Sequence, residues 1–155
     1  MKYVSTLIAV RDIGVSKRFY YEVLGLEVTA DYGANAVLGD RIALQTDETW
    51  AAFLGIGPER IIRNNLSCEL YFEEEDFDGF LKMLGRLDGI RYVHPVVEHS
   101  FGQRAMRFFD PDGHVIEVGE PIAKVARRFS RDGLSVADIA KRMDVPVGCV
   151  SGWLG

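Results

Sequence analysis

Cysteine is scarce in this chain of 155 residues: Cys68 and Cys149 are the only two, far apart in sequence. With no Cys-x-x-Cys pair, neither a zinc knuckle nor a redox dithiol is expected. Long apolar runs are missing as well. Nothing approaches the roughly 18 consecutive apolar residues of a membrane-spanning helix. The apolar stretch before Arg11 and Asp12 is too short for a secretory signal. A cytoplasmic, reducing setting with no membrane partner is the expectation. Proline at 5 and glycine at 16 residues exclude a fibrous or low-complexity chain. Positive charge is also short: 18 Lys and Arg stand against 23 Asp and Glu, net -5. That balance argues against a nucleic-acid partner for the whole chain, because phosphate binding needs concentrated positive charge. What remains is 48% hydrophobic and 26% charged residues, enough for one compact domain with a real core.

Patterning then shows a repeat. Tyr3 to Val10 reads as a strand, and Asp12 caps a helix carrying Phe19, Tyr20, Val23 and Leu24, stopped by Gly25. Three strands follow, Leu26 to Asp31, Ala34 to Leu38 and Arg41 to Thr46. Trp50 to Asn65 reads as a connector. The order then restarts: a strand from Leu66 to Glu73, a helix capped by Asp76 and ending near Asp88-Gly89, and strands Arg91 to Val97, Arg104 to Phe109 and His114 to Gly119. Asp110-Pro111-Asp112-Gly113 is the turn between the last two. The chain thus reads βαβββ twice, and a duplication of this kind decides the fold. Aligning the helix caps sets Ser5 against Glu69. Aligning the closing strands sets Ala43 against Glu117. The expected architecture is α+β: tandem βαβββ modules, about 1–48 and 66–120, forming a curved mixed sheet around a cavity, with a C-terminal helical extension over 121–155.

The segments Val10-Arg11-Asp12 with Phe19-Tyr20-Tyr21-Glu22-Val23-Leu24-Gly25-Leu26, and Phe108-Phe109-Asp110-Pro111-Asp112-Gly113-His114-Val115-Ile116-Glu117-Val118, resemble the opening and closing signatures of the vicinal oxygen chelate superfamily. That superfamily includes glyoxalase I, bleomycin-resistance proteins, fosfomycin-resistance enzymes and extradiol dioxygenases. The resemblance covers roughly Met1 to Glu120. It implies a homodimer and four equivalent strand positions facing a cavity, which in metal-using members carry His or Glu and bind a divalent ion. Here those positions hold Ser5, Ala43 (Gln45 if the alignment slips by one pleat), Glu69 and Glu117.

Two carboxylates on adjacent strands could hold Mg²⁺ or Mn²⁺ with water in the remaining sites. They lack the nitrogen and sulfur ligands that favour Zn²⁺ or Ni²⁺. Without an ion, two close carboxylates repel and one has a raised pKa, which suits a general acid or base. Glu69 and Glu117 are therefore the candidate metal ligands and catalytic groups. Ser5, Ala43, Tyr71, His99, Gln103 and Arg104 are the candidate substrate-pocket residues, with Arg104 able to grip an anionic group through its planar fork. Tyr71 is also expected to pack in the core, Cys68 to be buried and His114 to be exposed. The implied function is a glyoxalase-like lyase or isomerase acting on a small molecule. The alternative is a non-catalytic, bleomycin-resistance-like binder.

After Glu120 the composition shifts. Residues 1–120 carry net -8 and residues 121–155 net +3. Three short helices are predicted, Ile122 to Arg131, Val136 to Met143 and Val147 to Leu154. The last two resemble a helix-turn-helix, in which the second helix would enter the major groove. The outward positions Gly148, Cys149, Ser151 and Gly152 include no Arg, Lys, Asn or Gln to read bases. A ligand-responsive DNA-binding protein is the third reading, behind a helical appendage that packs on the modules or on a partner subunit.

Overall fold

In the computed structural model, which describes residues 1–155, two aspartates start two equivalent helices. Asp12 accepts hydrogen bonds from the amides of Gly14 and Val15 and opens α1 (Ile13–Leu24). Asp76 accepts from the Gly79 amide and opens α3 (Phe77–Leu84). Such caps satisfy amides that the first helical turn leaves unpaired. α1 stops at Gly25, whose φ of 65° lies in the left-handed region that glycine adopts without strain. α3 stops at Gly85, earlier than the sequence predicts.

Each helix belongs to a βαβββ module. β1 (Thr6–Val10), β2 (Val28–Asp31), β3 (Asn35–Leu38) and β4 (Ile42–Thr46) form one sheet in the order β1-β4-β3-β2. β5 (Glu69–Glu73), β6 (Arg91–Glu98), β7 (Arg104–Phe109) and β8 (Val115–Gly119) form a second in the order β5-β8-β7-β6. The first and last strands of each module pair in parallel, and the other pairs are antiparallel. The registers coincide: Leu7 lies beside Ala43 as Tyr71 lies beside Glu117. The duplication is therefore structural. Between the modules, α2 (Asp47–Leu54) and a short 3-10 turn (Pro58–Arg60) form the connector.

The chain divides into two compact units. The first is Met1–Cys68 together with the turn Asp110–His114, and the second is Glu69–Phe109 with Val115–Gly155. In the first, α1 buries Ser16, Tyr20 and Val23 beside the buried strand residues Val10, Ala36, Leu38 and Leu44. In the second, α3 buries Phe77, Phe80 and Leu84, and the Phe80 and Phe108 rings lie 6.5 Å apart. Burying side chains of this size stabilises by roughly 1.5–3 kcal/mol each.

The extension forms three helices at the predicted boundaries, α4 (Ile122–Arg131), α5 (Val136–Met143) and α6 (Val147–Leu154). Ser135 caps α5 by accepting from the Asp138 amide. The helices share an apolar cluster of Val125, Ala126, Phe129, Ile139, Ala140, Met143 and Val150. Phe129 also lies against Gly102, where a Cβ would overlap its ring and where φ is 91°. No helix is long and apolar enough to cross a membrane.

Candidate functional site

Strand alternation sorts the second sheet into two faces. Phe72, Val118, Met106 and Phe108 fall on the face that α3 covers. The opposite face carries a row of neighbours across all four strands: Tyr71 on β5, Glu117 on β8, Arg107 on β7 and His94 on β6. Glu69 lies two residues before Tyr71 and shares its face.

Arg107 organises this row. Its Nε donates to Glu69 Oε2 at 2.8 Å, and its guanidinium forms an ion pair with Glu117. A third nitrogen lies 3.4 Å from His94 Nε2. The Glu117 side chain is only 7% exposed, whereas that of Glu69 is 38% exposed. A buried carboxylate needs a fixed counter-charge, and Arg107 is that charge for Glu117.

The guanidinium stands where the sequence reading puts an ion. It pairs with both carboxylates and offsets the mutual repulsion expected of the two alone. No group of three His, Cys, Asp or Glu side chains is placed to hold a metal. The residues present do not fit the divalent ion expected at Glu69 and Glu117. Arg107 was not among the candidates from sequence, yet its position can be counted. The hairpin around Asp110–Gly113 pairs Phe109 with Val115, which places Arg107 opposite Glu117.

Tyr71 does not pack in the core. It is 47% exposed. Its hydroxyl accepts from Gln103 Nε2 at 2.9 Å and donates to Glu73 Oε1 at 3.0 Å. Burial and Glu73 raise the Tyr71 pKa, and the bond from Gln103 opposes them. Gln103 is buried, because its amide also donates to the Glu120 carbonyl at 2.8 Å. It supports Tyr71 from behind. Gly119 leaves the room it needs, since a Cβ there would lie 2.8 Å from Gln103 Nε2.

Arg104 turns the other way. It is three residues from Arg107 and therefore on the α3 face, where it bonds Asp78 at 2.8 Å and Glu120 at 2.8 Å and lies over the Phe77 ring. These partners raise its pKa and leave it no free fork for an anionic ligand. Burial would raise the Glu120 pKa, but the bonds from Arg104 outweigh it and hold that carboxyl below its ordinary range. The His99 ring stacks on Phe101 at 5.2 Å, which places it in a loop contact. Of the first-module candidates, Ser5 is exposed ahead of β1 and Ala43 is buried in β4. Gln45 is buried and takes a hydrogen bond from Asn35.

The profile of a family described as a glyoxalase-like domain matches residues 3–123. A protein of unknown function from Agrobacterium tumefaciens shares 31% identity with a TM-score of 0.68, over 78% of this chain and 94% of that one. A glyoxalase/bleomycin resistance protein/dioxygenase family enzyme from Burkholderia phytofirmans superposes with a TM-score of 0.66 at 15% identity, over 77% of this chain and 98% of the other. A member of the same superfamily from Sphaerobacter thermophilus superposes with a TM-score of 0.58 at 23% identity, over 78% and 98%. No curated protein matches significantly. The profile ends at residue 123, so almost all of the three-helix extension lies beyond it.

Proposed function

Because the chain belongs to the glyoxalase-like domain family, we propose that it binds a small amine-bearing molecule on the polar face of its second sheet, without a metal ion at Glu69 and Glu117. The observation that carries this reading is the row Tyr71–Glu117–Arg107–His94, with one guanidinium held by two carboxylates. Glu69, Glu73 and Glu117 outnumber Arg107 there. The excess negative charge surrounds a half-exposed tyrosine ring, a combination that attracts a cation carrying apolar surface. Arg107 holds the carboxylates apart and fixed, so the ligand meets a preformed surface. Gln103 and Glu73 fix the Tyr71 hydroxyl in the same way.

Calorimetry with three matched probes, benzylamine, benzamide and benzoate, tests the charge preference. Benzylamine alone should bind, more weakly in high salt and more weakly still in Tyr71→Ala. Binding of benzoate in preference to benzylamine would overturn the reading. Titration with Mg²⁺, Mn²⁺, Zn²⁺ and Ni²⁺ tests the other half. Stoichiometric uptake that Glu117→Gln abolishes would restore the metal. The enzymatic alternative, lyase or isomerase chemistry with Glu117 accepting a proton, requires Arg107 to release that carboxylate. The proposal includes a homodimer, and light scattering giving a mass near 17.4 kDa would remove that part. Nucleic acid stays outside it, because α6 carries no charged side chain.

A further inference from the structure

The first unit contains a separate pocket of about 230 Å³, lined by Ile8, Arg63, Asn64, Asn65, Cys68 and His114 among others. None of these residues enters the reading above. Cys68 was expected to be buried. It is instead a free, exposed thiol, because β5 begins at Glu69 and leaves the preceding residues outside the sheet.

His114 was expected to be exposed and is instead mostly covered, and its ring is fixed. Nδ1 lies 2.8 Å from Asp110 Oδ2, and the His114 amide donates to Asp110 Oδ1 at 2.8 Å. The Asp110 side chain is fully buried. It also accepts from the Tyr20 hydroxyl at 3.0 Å and from the Asp112 amide at 2.9 Å. Burial opposes its ionisation, but these bonds outweigh burial and hold its carboxyl below the ordinary value. An acceptor at Nδ1 orients the ring and leaves Nε2 as the nitrogen not engaged with Asp110. A nucleophile and an imidazole oriented by a third group are the parts of an activated-thiol site.

The other charged groups at this pocket are occupied. Arg63 donates to the Ala9 carbonyl at 2.6 Å and forms ion pairs with Asp47 and Asp112. Asp112 also accepts from the Arg11 amide. Asn65 accepts from the Ser67 amide through Oδ1, so its NH₂ remains a donor for a carbonyl ligand. The pocket is therefore small, mixed in lining, with Leu7, Ile8 and Ile62 beside the polar groups, and its Arg63 and Asp112 charges are paired, which suits a neutral ligand.

We propose that Cys68 and His114 form a site that adds a thiol to small, neutral α,β-unsaturated carbonyl compounds. His114 Nε2 takes the thiol proton. The sulfur forms a bond to the β-carbon, and the C=C π electrons move onto the carbonyl as an enolate. The proton then passes from His114 to the α-carbon. One S–C and one C–H bond form, one S–H bond and one C=C π bond are lost, and no oxidant or second reactant is needed.

Cys149, exposed on α6, is an internal control in the same molecule. The experiment treats the native protein with acrylamide at neutral pH and follows both cysteine-containing peptides by mass spectrometry. Cys68 should be modified at least about tenfold faster than Cys149, and the two rates should converge in denaturant. His114→Gln should bring the native ratio close to one while circular dichroism stays unchanged. A wild-type ratio near one overturns the proposal whatever the variant does. A high ratio that survives in His114→Gln overturns it equally, by assigning the reactivity to exposure alone.

Discussion

Leu7, Ala43, Val37 and Ala30 cross the first sheet at the register where Tyr71, Glu117, Arg107 and His94 cross the second. The first row is aliphatic throughout. The second has no aliphatic member. Two copies of one backbone plan thus hold opposite chemistry in matching places. Duplication fixes where a side chain sits, and substitution then decides what that place can do. The apolar row is stable without partners. The polar row persists only as a set, because its most buried member is a carboxylate that needs Arg107 beside it.

The largest expected effect comes from breaking that set. Arg107→Leu leaves the Glu117 carboxylate buried without its counter-charge and should cost about 3–5 kcal/mol of unfolding free energy in urea titration. The double variant Arg107→Val with Glu117→Ala copies the two central positions of the first-module row, Val37 and Ala43, and should recover most of that loss. Failure of the double variant to recover would mean that the two rows are not interchangeable. Next in size is Gly119→Ala. Its Cβ would press on Gln103, itself bonded to Tyr71 and the Glu120 carbonyl. A loss of about 1–3 kcal/mol is expected, together with weaker benzylamine binding if Tyr71 is loosened.

Acid pH probes two carboxylates that flank β8 in sequence, Asp110 before it and Glu120 after it. Asp110 and Glu120 are both held below their ordinary values of 3.8 and 4.5. The unfolded chain therefore takes up their protons at higher pH than the folded chain. Their contribution is fully present above the ordinary values and is lost as pH falls through the lower folded ones. The melting temperature should drop below about pH 4.5, and Glu120→Gln should make that drop shallower. The smallest effect is Glu69→Gln, which removes an ion pair to a half-exposed carboxylate and should change stability by about 0–1 kcal/mol. A larger loss would show that Glu69 is as deeply committed as Glu117.

The repeat was legible because both helices open on aspartate caps at the same spacing from their strands, and both closing strands carry an Ile-x-aliphatic core. The carboxylate pair was legible for the same reason. Its meaning was not, because Arg107 lies in the sequence Arg-Ala-Met-Arg-Phe-Phe, where Arg104 is the more conspicuous arginine beside a glycine turn. Alternation sends Arg104 to the helix and Arg107 to the carboxylates, and only the hairpin register distinguishes them. Tyr71 and Cys68, which the sequence pattern places inside, are exposed for a related reason. Apolar neighbours in the sequence say nothing about whether anything covers that side of a strand, or where the strand begins.

The turn Asp110–His114 is encoded in the second repeat, yet its carboxylates serve Tyr20, Arg11 and Arg63 of the first. A gene truncated between the repeats would encode a polypeptide with a buried phenol stripped of its acceptor and a covered guanidinium that keeps Asp47 and the Ala9 carbonyl but loses Asp112. The first repeat thus depends on a turn that the second one encodes. A split-protein reporter cut in the linker should regain its fold only when both fragments are present.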